Sequence, residues 1–320
     1  MLLTFDEALK LIEKGGFLHI SGNEDLLKRL PKGNWIGGST EYFMTKDGGA
    51  LVNDKLFVCD IAYENCKIAT YDQGNIANVA KDAYDNGFTI LILPFDSDVH
   101  ADYSKHAASY EGMFIKNIVG WISGKNLSVA EQIPMVIDGK TGAAYTDKAV
   151  ALHIEVPADK VVNVGIVNIF SPNPNSPEIR FPDNGFVVDK CTIGGEEVVL
   201  AQYLAENNIN TKTPFIGEYS GADINVSIKE IKDDVVYLYA PVFNSTKYSF
   251  SQGIDDYEAE FNKHLRAFKN CNPVFSCNCI LNFLYGELEG KRLKTFFGNI
   301  TFGEIAYQLV NQTLVYVEVL

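Results

Sequence analysis

The sequence predicts an α+β fold of two domains, with mixed, largely antiparallel β-sheets flanked by helices. Three observations carry this. Residues 134–170 read as successive strands with no helix between them. FTILILPF (88–95) is a continuous apolar run of the kind that suits a strand buried on both faces. Short helices alternate with strands in the N-terminal part, but elsewhere many strands are adjacent in sequence, so helices and strands are mixed. The chain has 320 residues, 47% of them hydrophobic, with 16 Tyr and 20 Phe, so it can bury a large core and does not have the composition of a disordered chain.

Taken in order, Thr4 and Glu7 form a capping box that opens a helix over 5–14, and Gly15-Gly16 ends it. A strand near 17–20, a helix over 24–30 and the strand WIGGS (35–39) follow, the last entering a tight bend that glycine permits. Strands are expected near 55–62 and 64–70, a helix over 74–86 closed by Gly87, then the buried strand 88–95. MVIDGKTGAAYT reads as a hairpin turning at Asp138-Gly139, and AVALHIEVP and VVNVGIVNIF as strands. SPNPNSPEIRFP (171–182) holds four prolines, which donate no amide and fix φ. It marks the boundary between a domain 1–182 and a domain 183–320. Beyond it lie a strand pair bent at Gly194-Gly195, a helix, strands at 223–231, 234–241 and 246–251, and a helix at 255–268. Strands at 274–279, 296–304 and 313–319 end the chain.

The net charge of −14 disfavours binding to nucleic acid or an anionic membrane. No basic leader precedes an apolar core, and no apolar run approaches the ~20 residues that span a bilayer, so a cytoplasmic protein is expected. Six dispersed cysteines in such a chain read as free thiols. Gly139-Lys140-Thr141 imitates a P-loop, but the first glycine of that motif falls on Pro134, and no GxGxxG, HExxH or GxSxG is present.

Four constellations carry candidate chemistry. Asp96, Asp98, His100, Asp102 and His106 follow the buried strand and offer oxygen and nitrogen ligands to a divalent metal; alternatively, the loop's carboxylates cap a helix running through 98–110. Cys271, Cys277 and Cys279 suit a soft metal or a reactive thiolate; equally, FSCNCI reads as a strand with Cys277 and Cys279 buried on one face and Asn278 on the other. His19, His153 and His264 sit in apolar or mixed segments and read as structural, ahead of a haem or metal role. Gly303-Glu304 with Asn311 and Thr313 offers a carboxylate and neutral polar groups, either to a ligand or as a tie between strands.

Ser276-Cys277-Asn278, Gly303-Glu304-Ile305 and Asn311-Gln312-Thr313-Leu314, in that order, resemble the C-terminal domain of the FIST family of intracellular sensory proteins. Ile36-Gly37-Gly38-Ser39-Thr40-Glu41 resembles the family's N-terminal Gly-x-Ser-Thr segment. The resemblance is loose over nearly the whole chain and specific only in these blocks. It implies a non-catalytic sensor of a small molecule such as an amino acid or related metabolite, with haem bound in some members. It also implies a ligand site in an interdomain cleft built from Gly38, Ser39, Thr40, Glu41, Cys277, Asn278, Gly303, Glu304, Asn311 and Thr313. The chain departs from the family where Ile280 replaces a common arginine and Val310 a common histidine, which implies a different ligand or none. Family members are usually coupled to output domains; here output is expected through a signalling partner protein or a homo-oligomer. The rival reading is an enzyme, metal-dependent through Asp96, His100 and His106 or thiol-dependent through Cys277.

Overall fold

The computed structural model describes residues 1–219, 222–268, 271–293 and 295–320. The fold is α+β, with mixed, mostly antiparallel sheets flanked by helices, as the strand-rich pattern predicts. The chain forms two compact units. The first comprises Met1–Val167, Leu265–Leu309 and Thr313–Leu320; the second comprises Asn168–His264 and Val310–Gln312.

The first unit holds three six-stranded sheets. One runs in the order Leu2–Leu3, Leu56–Ile61, Phe17–Gly22, Trp35–Ser39, Val136–Asp138, Ala143–Tyr145. The second runs Gln308–Val310, Glu304–Ala306, Asn117–Ser123, Gly87–Pro94, Ala149–Glu155, Cys66–Tyr71. The third runs Val162–Asn168, Thr313–Val319, Phe275–Cys279, Gly298–Thr301, Tyr42–Thr45, Gly48–Leu51. The apolar run becomes the strand Gly87–Pro94, buried at every position between a parallel neighbour, Asn117–Ser123, and an antiparallel one, Ala149–Glu155.

The local signals at the N-terminus hold. The helix Phe5–Glu13 starts at the Thr4–Glu7 capping box, in which Thr4 N donates to Glu7 Oε2 at 2.8 Å and Glu7 N donates to Thr4 Oγ1 at 3.3 Å; the chain then turns at Gly15 with φ +81°. Between 74 and 86 the structure differs from expectation. A single turn at Ile76–Asn78 leads into Val79–Asp82, and Ala83 is already extended, with ψ 150°. Apolar spacing there reflects three anchoring residues, Ile76, Val79 and Ala80, with no hydrophobic face left beyond Ala80 to continue a helix.

The second unit has a six-stranded sheet ordered Glu196–Val199, Lys190–Ile193, Ile179–Arg180, Lys247–Phe250, Phe215–Tyr219, Ala222–Val226, and a three-stranded one ordered Gly185–Val188, Val235–Val242, Ile228–Lys232. The proline-rich stretch lies inside this unit. Ile179 is fully buried in its core and pairs with Ile193 and Tyr248, so the unit begins at Asn168, upstream of residue 183. Nor does the unit extend to the C-terminus as expected. Phe275–Cys279, Gly298–Thr301 and Thr313–Val319 rejoin the first unit, where Gly298 pairs with Met44 and Asn299 with Phe43. Long-range sheet pairing overrides the order of residues along the chain. Among the described residues, no helix is long and apolar enough to cross a membrane.

Candidate functional site

The three C-terminal blocks converge around Glu304. A single strand expected over 296–304 instead breaks at Phe302-Gly303: Gly298–Thr301 belongs to the third sheet of the first unit and Glu304–Ala306 to the second. Gly303 makes the step with φ +154°, and a β-carbon there would lie 3.0 Å from the Ile122 and Leu309 side chains. The step turns the Glu304 side chain inward, to zero exposure. Its carboxyl accepts from Thr301 Oγ1 at 2.8 Å, Thr313 Oγ1 at 2.9 Å and Thr313 N at 3.3 Å, and it is bonded by the Cys279 side chain. Burial outweighs these bonds and pushes the Glu304 pKa up to about 8, so the group holds its proton at neutral pH. Cys277 lies on the same side of its strand, donates to Gly120 O at 3.3 Å, and spans the same two sheets. Asn278 accepts from Asn282 Nδ2 at 2.8 Å, while its own buried amide nitrogen has no partner.

The 38–41 segment is committed to internal contacts. Gly38 sits in an extended strand, and what its lack of a side chain permits is close packing: a β-carbon would lie 2.8 Å from both Ile92 Cγ2 and Trp121 Cη2. Ser39 Oγ donates to Gly124 O at 2.7 Å and accepts from Met135 N at 3.0 Å; Thr40 Oγ1 donates to Ile300 O at 2.8 Å. Glu41 is 4% exposed and accepts from the amides of Asn23, Asn126 and Gln132 at 2.6, 2.8 and 3.3 Å. Asn311 belongs to the second unit, where its Oδ1 accepts from Ser227 N at 3.1 Å and Ser227 Oγ at 2.6 Å, leaving Nδ2 buried without a partner. These side chains hold strands and loops together, the structural alternative weighed for Glu304 and Asn311.

The Asp96–His106 group does not converge. Ser97, not a carboxylate, caps the helix Asp98–His106 by accepting from His100 N. His100 is buried and its Nδ1 accepts from Asp96 N at 3.3 Å, whereas His106 is largely exposed and meets Asp102 Oδ1 at 3.1 Å. A step of six residues, about 1.7 helical turns, leaves the two imidazoles roughly 120° apart around the axis, so they leave the helix on different faces. Among the described residues, no three His, Cys, Asp or Glu side chains are grouped to hold a metal.

The structure does show a cavity the sequence did not reveal. About 170 Å³ opens between the first and third sheets of the first unit, lined by His19, Phe57 and Cys59 on one side and Phe275, Ser276 and Asn299 on the other. His19 and Cys59 are cross-strand partners, which puts both side chains on one face. His19 is 1% exposed, and its Nε2 accepts from Trp121 Nε1 at 2.9 Å, with Asn299 Nδ2 at 3.4 Å. An indole nitrogen only donates, so the imidazole proton must sit on Nδ1, and that buried Nδ1 has no partner. Burial lowers the His19 pKa to about 3, which keeps the ring neutral. The expectation of a structural His19 captures its bond to Trp121 but not the unused donor. No local signal marks it, because the lining comes from strands more than two hundred residues apart.

The full-length match comes from a family model that covers residues 3–320 and is described as a family of unknown function, DUF6976. The chain belongs to DUF6976. Comparison with curated proteins gives no match. For this DUF6976 chain, the chemistry open to each candidate follows from burial. Cys277 is 1% exposed, and its thiol is held well above its ordinary pKa, first by burial and then by the neighbouring Glu304 and Cys279. Iodoacetamide at pH 8 is therefore expected to leave Cys277 unlabelled in the folded protein and to alkylate it readily in denaturant. Peptide mapping checks this, and labelling of Cys277 ahead of half-exposed Cys66 and Cys271 would contradict it.

Proposed function

We propose that this chain is a cytoplasmic sensor that binds a small molecule without a catalytic step, related to the FIST proteins that its C-terminal blocks resemble. The observation that carries this reading is the 170 Å³ cavity between two sheets of the first unit, lined by Phe57 and Phe275 together with His19, Ser276 and Asn299. Ligand pockets combine apolar walls with a few fixed polar groups; here the accessible lining is slightly more polar than apolar, which favours a small polar ligand. The absence of catalysis is argued from the candidates' own geometry: Cys277 is a protonated, buried thiol, and His100 and His106 diverge. Signal output then passes to a partner protein or through self-association.

A thermal-shift panel of amino acids and related metabolites tests the reading. A ligand at a hundredfold excess over its Kd is expected to stabilise the fold by about 2.7 kcal/mol, a shift of several degrees. A flat response across the panel would count against a sensor.

A further inference from the structure

We infer that the first unit is one supersecondary repeat used three times, with its hairpins exchanged in a ring, so that its three sheets respond as a single conformational unit. The three six-stranded sheets share one strand order. Copy one supplies Leu2–Leu3, Phe17–Gly22, Trp35–Ser39 and Leu56–Ile61 to the first sheet. Copy two supplies Cys66–Tyr71, Gly87–Pro94, Asn117–Ser123 and Ala149–Glu155 to the second. Copy three supplies Val162–Asn168, Phe275–Cys279, Gly298–Thr301 and Thr313–Val319 to the third. In every copy the second and third strands are parallel neighbours joined through a helix, Glu24–Lys28, Asp98–His106 or Ile280–Tyr285. In every copy the fourth strand lies antiparallel to the second, between it and the first. The last residues of the third strands, Ser39, Ser123 and Thr301, pair with the last residues of the second strands, Gly22, Pro94 and Cys279. All three positions carry a hydroxyl and are 1% exposed or less.

Between its third and fourth strands every copy has a hairpin: Tyr42–Thr45 with Gly48–Leu51, Val136–Asp138 with Ala143–Tyr145, and Glu304–Ala306 with Gln308–Val310. None of these stays in its own copy's sheet. The hairpin of copy one completes the third sheet, that of copy three the second, and that of copy two the first, through the pairs Met44–Gly298, Ile305–Gly120 and Ile137–Gly37. The exchange therefore closes on itself. The ends of the third strands meet where the hairpins cross: Ser39 Oγ donates to Gly124 O at 2.7 Å, Thr40 Oγ1 to Ile300 O at 2.8 Å and Phe302 N to Ile122 O at 3.0 Å. A lone hairpin is marginal in water, so each holds its shape only while it pairs with another copy's sheet, and a sheet that loses its guest bares a buried third strand. A change imposed on one sheet, by a bound molecule or a partner, is thereby passed to the other two. Two insertions distinguish the copies. Residues 124–135 stand where copies one and three link the third strand to the hairpin by Thr40-Glu41 and Phe302-Gly303. Residues 169–274, which hold most of the second unit, stand where copies one and two have 4–16 and 72–86.

The test follows backbone hydrogen exchange by mass spectrometry in the full chain, with one buried side chain of each hairpin trimmed: Phe43→Leu, Ile137→Val and Ile305→Val. The three substitutions sit in three different sheets. Each is expected to speed the slowest-exchanging amides of all three sheets by one common factor, about fivefold for the two Ile→Val changes. Faster exchange confined to the sheet that holds the substituted hairpin overturns the proposal. Should Phe43→Leu fail to fold, Met44→Leu is the volume-conserving change in the same strand. A second measurement removes the covalent link. A protease site inserted between exposed Asp159 and Lys160, in the turn between copies two and three, is cut in the folded protein. Two hairpins, 42–51 and 304–310, then cross from one fragment to the other. The nicked chain should elute as one species at the position of the intact chain; fragments that part without denaturant would overturn the exchange.

Discussion

Glu304→Gln is expected to remove the loss of stability that the wild-type chain suffers between about pH 6.5 and 8. The carboxyl titrates near 4.5 when unfolded and at about 8 when folded, so over that interval the folded state binds more protons than the unfolded one. Stability from Glu304 is fully present below its unfolded pKa and is lost as pH rises through the folded value, with a slope approaching about 1.4 kcal/mol per pH unit. His19 and His153 act the other way. Burial lowers them to about 3 and about 4, so their contribution is present above pH 6.5 and is lost as pH falls. The wild-type stability profile should therefore peak near pH 6.5 and fall on both sides. Glu304→Gln keeps the acid limb and flattens the alkaline one. Glu304→Ala, by contrast, leaves Thr301 and Thr313 unpaired around a void and should cost about 4 kcal/mol at pH 6.5. Urea midpoints measured at half-unit pH steps decide it; parallel alkaline limbs for wild type and Gln would refute the assignment.

The second large effect is expected at Gly38. Ala there places a methyl 2.8 Å from Ile92 and Trp121, in a strand that packs closely on the neighbouring sheet, and should cost about 2 kcal/mol. Val adds two methyl groups to the same contact and should prevent stable folding. Because Trp121 also bonds His19, displacing it should loosen the cavity wall along with the core. Gly253→Ala serves as the control: nothing lies within 4 Å of its β-carbon position, and its melting temperature should stay within about a degree of wild type. Equal shifts for Gly38→Ala and Gly253→Ala would show that the close approach at Gly38 can relax freely.

Gly38 and Glu304 also show how far a sequence can be read. The motif WIGGS marks a place where glycine matters, but it reads as a bend, because glycine at a turn and glycine under an indole look alike in one dimension. Glu304 was legible as a polar residue beside a flexible glycine, and its two alternatives, ligand contact or strand tie, were both visible. The choice between them depended on Thr301 and Thr313 closing around it, and Thr313 lies on a different strand. The Asp96–His106 run looked like a ligand set because alternating Asp and His were counted along the chain, whereas the helix Asp98–His106 keeps Asp102 and His106 on one face, buries His100 on another and leaves Asp96 outside it.

What the sequence determined by itself is what short-range forces control. The Thr4–Glu7 capping box, the turn at Gly194-Gly195 and the buried strand Gly87–Pro94 each follow from residues a few positions apart, and each stands where the pattern put it. Tertiary structure alone decided the return of 265–309 and 313–320 to the first unit, the proton held on Glu304 and the cavity beside His19. The physical reason is the same in each case. Sheet pairing and desolvation act between groups brought together from distant parts of the chain, as with His19 and Asn299, 280 residues apart, and no local pattern records who the neighbour will be.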